Sequence, residues 1–247
     1  MPADPPRPQL VLVHGSRLSS AQWLPQLPLL EPHVDVRLVD LPGHGARAAE
    51  AFTLDRCVEV VDDAVRLSAG RGPVVLVGHS LGGFVAMEYA ARRGAALAGL
   101  VLAGASARPQ GAGAAVYRVV GALTDRLGPA RMTRVNNRVL HRLYPAERID
   151  PVIAGGYWFG PTTAAWHEVM QACRPASLAA LACPVLLLNG RWDQFRLGVP
   201  GFRHDVPAVR VETIAGAGHL ANLDQPEAFA EAVLRFTREV TDSAHGG

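Results

Sequence analysis

Lysine is absent from this 247-residue chain, and all 24 of its basic residues are arginine. That removes Schiff-base chemistry and a lysine general base, both of which need an amine able to give up its proton. Cysteine is scarce. Cys57, Cys173 and Cys183 are an odd number, far apart and without a CxxC pair, so neither a disulfide framework nor a zinc site is expected. No metal or other cofactor is expected either, and unpaired thiols make a reduced, cytoplasmic setting the default. The opening MPADPPRPQ sets prolines where a secretory leader carries its apolar stretch, and no apolar run approaches the about 18 residues of a membrane span. A net charge of +2 points to neither nucleic acid nor a membrane surface as partner. The length is generous for one domain and short for two, and an α/β domain with an insertion fits it best.

What is present centres on Pro73 to Ala91. Val74 to Val77 read as a strand buried on both faces, and they run without a spacer into Gly78-His79-Ser80-Leu81-Gly82-Gly83. The apolar period then changes, with Phe84, Met87, Ala90 and Ala91 at helical spacing. Strand, sharp turn and helix follow one another. Gly78 and Gly82 flank Ser80 where side chains would collide in so tight a turn, and Ser80 is forced into a strained conformation that lifts its hydroxyl clear of the sheet. The helix aims its amino end at the same spot, so the Leu81 amide is placed to stabilise an oxyanion.

Strands alternate with helices on both sides of this turn. Gln9 to Val13 ends in His14-Gly15-Ser16, and Ser19 to Leu30 carries a helical stripe broken by Pro25 and Pro28. Val34 to Val39 leads into Asp40-Leu41-Pro42-Gly43-His44-Gly45, and Thr53 can cap a helix through Leu67. Leu97 to Ala103, Pro184 to Leu188 and Val209 to Ile214 complete the strands, and a helix from Gln225 to Val240 closes the chain, with Asp224 and Glu227 spaced as an acidic capping box. This is the pattern of a parallel sheet covered on both faces. Residues 106–175 interrupt it with helical stripes only: Val116, Val119, Val120, Leu123 and Leu127; Met132, Val135, Val139 and Leu143; Trp166, Val169, Met170 and Cys173. The expected division is therefore 1–105 and 176–247 for the α/β core, with 106–175 as a helical insertion.

Functional groups of an open parallel sheet collect where the strands end. A serine needs a base within hydrogen-bond reach, itself held by a carboxylate. His219 follows the last strand in a glycine-loosened loop, Ala215-Gly216-Ala217-Gly218-His219, whereas His14, His44 and His79 adjoin glycines in tight turns and are expected to make structural hydrogen bonds. Asp193 leaves the strand before it. Asp205 and Asp224 are the fallback acids.

On these residues the chain resembles the α/β-hydrolase family: His14-Gly15, Asp40-x-x-Gly43-x-Gly45, the Gly78 to Gly83 elbow, Asp193 and Gly218-His219 stand in the family's nucleophile, acid, histidine order. The resemblance implies Ser80 as nucleophile, Asp193 as orienting acid, His219 as base, the amides of Leu81 and Ser16 as oxyanion hole, and residues 106–175 as a lid. It departs from most members in having only about eight residues before the first strand, which implies six parallel strands rather than a sheet opened by an antiparallel pair. Ser80 argues against the branches with aspartate at the elbow.

The implied function is a serine hydrolase acting on a small-molecule ester or thioester with an apolar acyl part. Its rivals are lyase, cyclase or perhydrolase chemistry on the same triad, a ligand receptor with a moving lid, and a thioesterase serving an acyl carrier protein. The last draws on an excess of arginine in residues 108–150 of the insertion, where Arg108, Arg118, Arg126, Arg131, Arg134, Arg138, Arg142 and Arg148 stand against Asp125, Glu147 and Asp150. A solvated helix face is the more ordinary explanation of them. Aromatics are few, yet Tyr117, Tyr144, Tyr157, Trp158, Phe159 and Trp166 all fall in the insertion. If each stripe packs on the core above Ser80, then Tyr157, Trp158, Phe159 and Trp166 line the substrate site; packing of the insertion alone would need them too.

Overall fold

The computed structural model describes residues 6–107 and 128–243. Its strands are β1 (Gln9–Val13), β2 (Asp35–Val39), β3 (Val74–His79), β4 (Leu97–Ala103), β5 (Val185–Gly190) and β6 (Arg210–Ile214). They form one six-stranded sheet in the order β2-β1-β3-β4-β5-β6, and every pair is parallel. Side chains of a strand alternate between faces, which is why β1 and β3 are apolar without a break. Val11, Val13, Val74 and Leu76 enter one core with Val58, Val61 and Val65 of the helix Leu54–Ala69 and Phe84 and Met87 of the helix Leu81–Arg93. Leu10, Leu12, Val75 and Val77 enter the other, with Trp23, Phe229, Val233 and Phe236. Thr53 caps the first of these helices by accepting from the Arg56 amide at 3.2 Å.

The chain leaves β1 toward β2 and then crosses back to β3 on its other side. Such a reversal opens a crevice at the carboxyl ends of the two central strands. Register aligns Val13 with Gly78 and His79 with Ala103, so the loops after β1, β3 and β4 end at one level.

The insertion departs from expectation. The helix Pro129–Leu143 was expected to turn Met132, Val135, Val139 and Leu143 inward, yet Val135, Val139 and Leu143 are 43, 48 and 64% exposed and none of its residues is fully buried. A shorter helix, Ala146–Ala154, lies between it and the 3-10 turn Ser20–Gln26 and makes the contact with the body in its place. Ile149 and Val152 of that helix are buried with Tyr144 and Leu223, and Leu140 is what the longer helix adds to the cluster. Pro151 inside it hid this helix from the sequence. The helix Thr162–Ala172 behaves as expected, sending Ala165, Trp166 and Val169 into the core of the body. The stripe from Val116 to Leu127, with Tyr117, Asp125, Arg108, Arg118 and Arg126, lies outside the described residues. Among the described residues no helix is long and apolar enough to cross a membrane.

Candidate active site

Ser80 sits between the end of β3 and the first turn of Leu81–Arg93, at φ 51° and ψ −116°. A side chain in that left-handed region is strained, and the surroundings must hold it there. They do so by contact. A Cβ on Gly78 would lie 2.3 Å from the Gly82 carbonyl oxygen, and one on Gly82 would lie 2.4 Å from that of His14. The Ser80 amide donates to the Ala103 carbonyl at 2.8 Å, tying the turn to β4.

The hydroxyl lifted by this turn meets His219. Ser80 Oγ is 3.0 Å from His219 Nε2, and His219 Nδ1 is 3.0 Å from Asp193 Oδ1. An ionised carboxylate only accepts, so Nδ1 carries the proton and donates to Asp193, leaving Nε2 to accept from Ser80. Asp193 is 4% exposed. Burial alone would raise its carboxyl; the bond and charge of His219, the Phe195 amide at 2.9 Å and the Asn189 side-chain amide at 3.0 Å together hold it below the ordinary carboxylate value. The two fallback acids lie elsewhere. Asp205 ends the helix Val199–Asp205 beside His204, and Asp224 binds the Gly218 amide and the Tyr144 hydroxyl. Asp224 is thus not a cap for the final helix, which starts at Pro226.

The loop after β1 is fixed just as firmly. The Gly15 amide donates to Gln22 Oε1 at 2.8 Å, and the Ser20 and Ala46 amides donate to the two oxygens of Asp40 at 2.6 and 2.9 Å. A Cβ on Gly45 would lie 2.3 Å from the Asp40 carboxyl, which accounts for the glycine five residues after Asp40. His14 accepts from the Leu41 amide at Nε2 and donates from Nδ1 to the Gly15 carbonyl; burial, then His44, pushes its pKa down to about 3. Leu81 is the first residue of its helix, so its amide has no intrahelical acceptor.

Gly15, Ser16, Ser80, His219 and Trp166 line one cleft of about 200 Å³. It shares Ser16, Arg17, Leu18, His219 and Leu220 with a second cleft of about 270 Å³, where Tyr157 and Val152 stand. A larger cleft, about 580 Å³, is lined by Tyr157, Trp158, Phe159 and Phe52 but by neither Ser80 nor His219. Of the four aromatics expected around the substrate, Trp166 therefore shares a cleft with Ser80 and Tyr157 shares one with His219, while Trp158 and Phe159 line neither. Among the described residues no cluster of His, Cys, Asp and Glu side chains is disposed to hold a metal ion.

The sequence model of a family described as "Alpha/beta hydrolase family" matches residues 10–232. The chain belongs to the α/β-hydrolase family. This α/β-hydrolase is 29% identical over 254 residues to a pimeloyl-[acyl-carrier protein] methyl ester esterase of Aromatoleum aromaticum, covering 90% of this chain and 94% of the relative. It is 30% identical over 253 residues to a 2-succinyl-6-hydroxy-2,4-cyclohexadiene-1-carboxylate synthase of Salmonella paratyphi C, covering 96% of this chain and 97% of the other. Among solved structures, a thermophilic esterase from Thermogutta terrifontis, malate bound, superposes with a TM-score of 0.78 at 26% identity over 96% of this chain and 92% of that one.

Some site residues of this α/β-hydrolase carry no sequence signal of their own. Asn189, next to last in β5, sits as an ordinary strand residue yet grips Asp193, and Gln22 lies in a proline-broken stripe yet holds Gly15. Both are buried amides next to glycine-bearing loops. For Asn189, a polar side chain near the end of an otherwise apolar strand is the one hint in the sequence.

Proposed function

We propose that this α/β-hydrolase is a serine hydrolase that cleaves a carboxylic ester or thioester through an acyl-enzyme. The observation that carries the reading is the continuous line from Asp193 through His219 to Ser80, 3.0 Å at each step, at the carboxyl edge of the sheet. Ser80 Oγ attacks the carbonyl carbon as its proton passes to His219 Nε2, and Asp193 keeps the imidazolium oriented and charge-balanced. The amides of Leu81 and Ser16 receive the oxyanion. His219 gives its proton to the departing alcohol or thiol, then takes one from the water that attacks the acyl carbon. The acid leaves and the proton returns to Ser80 Oγ.

Trp166 and Tyr157 favour an apolar acyl group, since they flank the two clefts that meet at His219. Residues 106–175 act as the lid in this reading. A second reading puts the acyl group on an acyl carrier protein. It is favoured by Arg131, Arg134, Arg138 and Arg142, exposed along one face of Pro129–Leu143, and by relatives named for a carrier-bound ester. The synthase relative keeps non-hydrolytic chemistry on the same residues as the rival.

Labelling with a fluorophosphonate followed by peptide mapping tests the reading. Modification confined to Ser80, with hydrolysis of a p-nitrophenyl ester that the label abolishes, is the expected result. An unlabelled Ser80 would overturn it, and labelling without ester turnover would favour the rival chemistry.

A further inference from the structure

Asp224 gives its two carboxylate oxygens to two different parts of the molecule. Oδ2 accepts from the Gly218 amide at 2.7 Å, one residue before His219, and Oδ1 accepts from the Tyr144 hydroxyl at 2.6 Å. Tyr144 joins the helices Pro129–Leu143 and Ala146–Ala154, is 8% exposed, and has its hydroxyl pushed up by burial and by Asp224, so it remains a donor. The same turn is held twice more. Arg148 donates to the Leu223 carbonyl at 3.0 Å, and Leu220 and Leu223 pack with Tyr144, Ile149 and Val152. Leu18, two residues past Ser16, packs on the same cluster.

The loop is tied to the strand end before Asp193 as well, where the Trp192 amide donates to the Ala217 carbonyl at 2.9 Å. Gly216 is at φ 71°, and glycine at two of the four positions from Ala215 to Gly218 lets the chain turn there. His219 is gripped at its ring by Asp193 and Ser80 and at its carbonyl by His79. Gly218, just before it, donates its amide to the side chain of Asp224.

We propose that Asp224 is a positioning residue, tying the helices of residues 129–154 to the His219 loop through Tyr144 on one oxygen and Gly218 on the other, so that the seating of those helices sets the aim of the imidazole. The proposal rests on the reading of His219 as the base. It gives the insertion a task besides roofing the cleft, because a shift of Tyr144 is passed to the base through one rigid carboxylate.

Three variants test it on the full chain. Asp224→Ala removes both bonds, Tyr144→Phe removes the outer one, and Asp224→Asn can keep both, with its oxygen on the Gly218 amide and its amino group donating to the Tyr144 oxygen. Misplacement of a reacting group by about 1 Å costs on the order of 100-fold. Asp224→Ala should lower kcat on a small p-nitrophenyl ester by about 10- to 100-fold, with KM within about threefold, and slow fluorophosphonate labelling of Ser80 by the same factor. Tyr144→Phe should lose roughly 3- to 10-fold in the same two readouts, and Asp224→Asn should restore most of the loss. Tyr144→Phe deletes a single oxygen and decides the matter if Asp224→Ala does not fold. Unchanged kcat and labelling in Tyr144→Phe, or a change confined to KM, would overturn the proposal. Failure of the unaltered chain to label at Ser80 would instead overturn the hydrolase reading on which it rests.

Discussion

His79, the residue before the strained serine, donates from Nε2 to the backbone carbonyl of His219 at 2.9 Å. The elbow thus grips the histidine loop directly, and the two imidazoles lie with centroids 5.0 Å apart. A Cβ on Gly15 would come within 2.7 Å of His79 Nδ1, so the loop after β1 closes against the other edge of the same ring. One side chain spaces the three loops that carry the candidate site.

His79→Phe keeps a ring in this gap and deletes the donor. The His219 carbonyl then loses its partner, which should cost about 1–3 kcal/mol of stability. Because that carbonyl belongs to the residue proposed as the base, kcat on a p-nitrophenyl ester should also fall, by about tenfold. Urea denaturation and steady-state kinetics read the two effects. An unchanged kcat would make His79 a packing residue only.

The buried histidines set the response to acid. Burial, reinforced by His219, pushes the His79 pKa down to about 3, and burial with His44 pushes His14 the same way. Both are neutral in the fold and free to protonate once unfolded, where an imidazole titrates near about 6.5. The unfolded chain therefore binds more protons between these values, and stability must fall as the pH drops from about 6.5 toward 3. Each histidine contributes up to about 1.4 kcal/mol per pH unit in that window. Asp193, held low in the fold, adds to the loss in the same direction at the acid end. Urea midpoints that stay flat from pH 7 to 4 would contradict this.

Asp193→Asn should lower kcat by about four orders of magnitude with a smaller change in KM, since an amide at that position cannot keep the proton on His219 Nδ1. Asp205→Asn, beside His204 at the end of the helix Val199–Asp205, should alter neither constant. The comparison is made with one ester at saturating and limiting concentrations. A reversed ranking would move the acid to another loop.

Much of this arrangement is written locally. Val74 to Val77 followed by Phe84 and Met87 announces a strand and a helix by period alone, and Gly78 and Gly82 mark the turn because backbone occupies the space of their side chains. His79, His14 and His44 beside glycines were legible as hydrogen-bonding residues, but not what they would bond. The insertion is less legible for a physical reason. Apolar spacing says that a helix has a sticky face, not which neighbour covers it, and Val135 and Val139 are left open because Ile149 and Val152 come first. Asp224 shows the same limit: its spacing to Glu227 suggests a helix cap, while its partners, Gly218 and Tyr144, come from a loop and from a residue 80 positions away.

The clefts turn the aromatics of the insertion into separable predictions. Trp166 lines the Ser80 cleft and packs edge-on against Phe84 at 5.9 Å, and Tyr157 lines the adjoining cleft with its hydroxyl buried and unbonded among the described residues. Trp158 lies outside both, its indole donating to the Gly155 carbonyl at 3.2 Å. If acyl chains run from Ser80 past Trp166 toward Tyr157, each added methylene that is buried gains up to about 0.8 kcal/mol, or roughly fourfold in kcat/KM. A p-nitrophenyl ester series from acetate upward should therefore rise with chain length. Trp166→Leu should flatten it from the shortest esters, Tyr157→Ala only for the longer ones, and Trp158→Ala should leave its slope alone. A series flattened by Trp158→Ala and untouched by the other two would put the acyl group in the 580 Å³ cleft and move the specificity pocket away from His219.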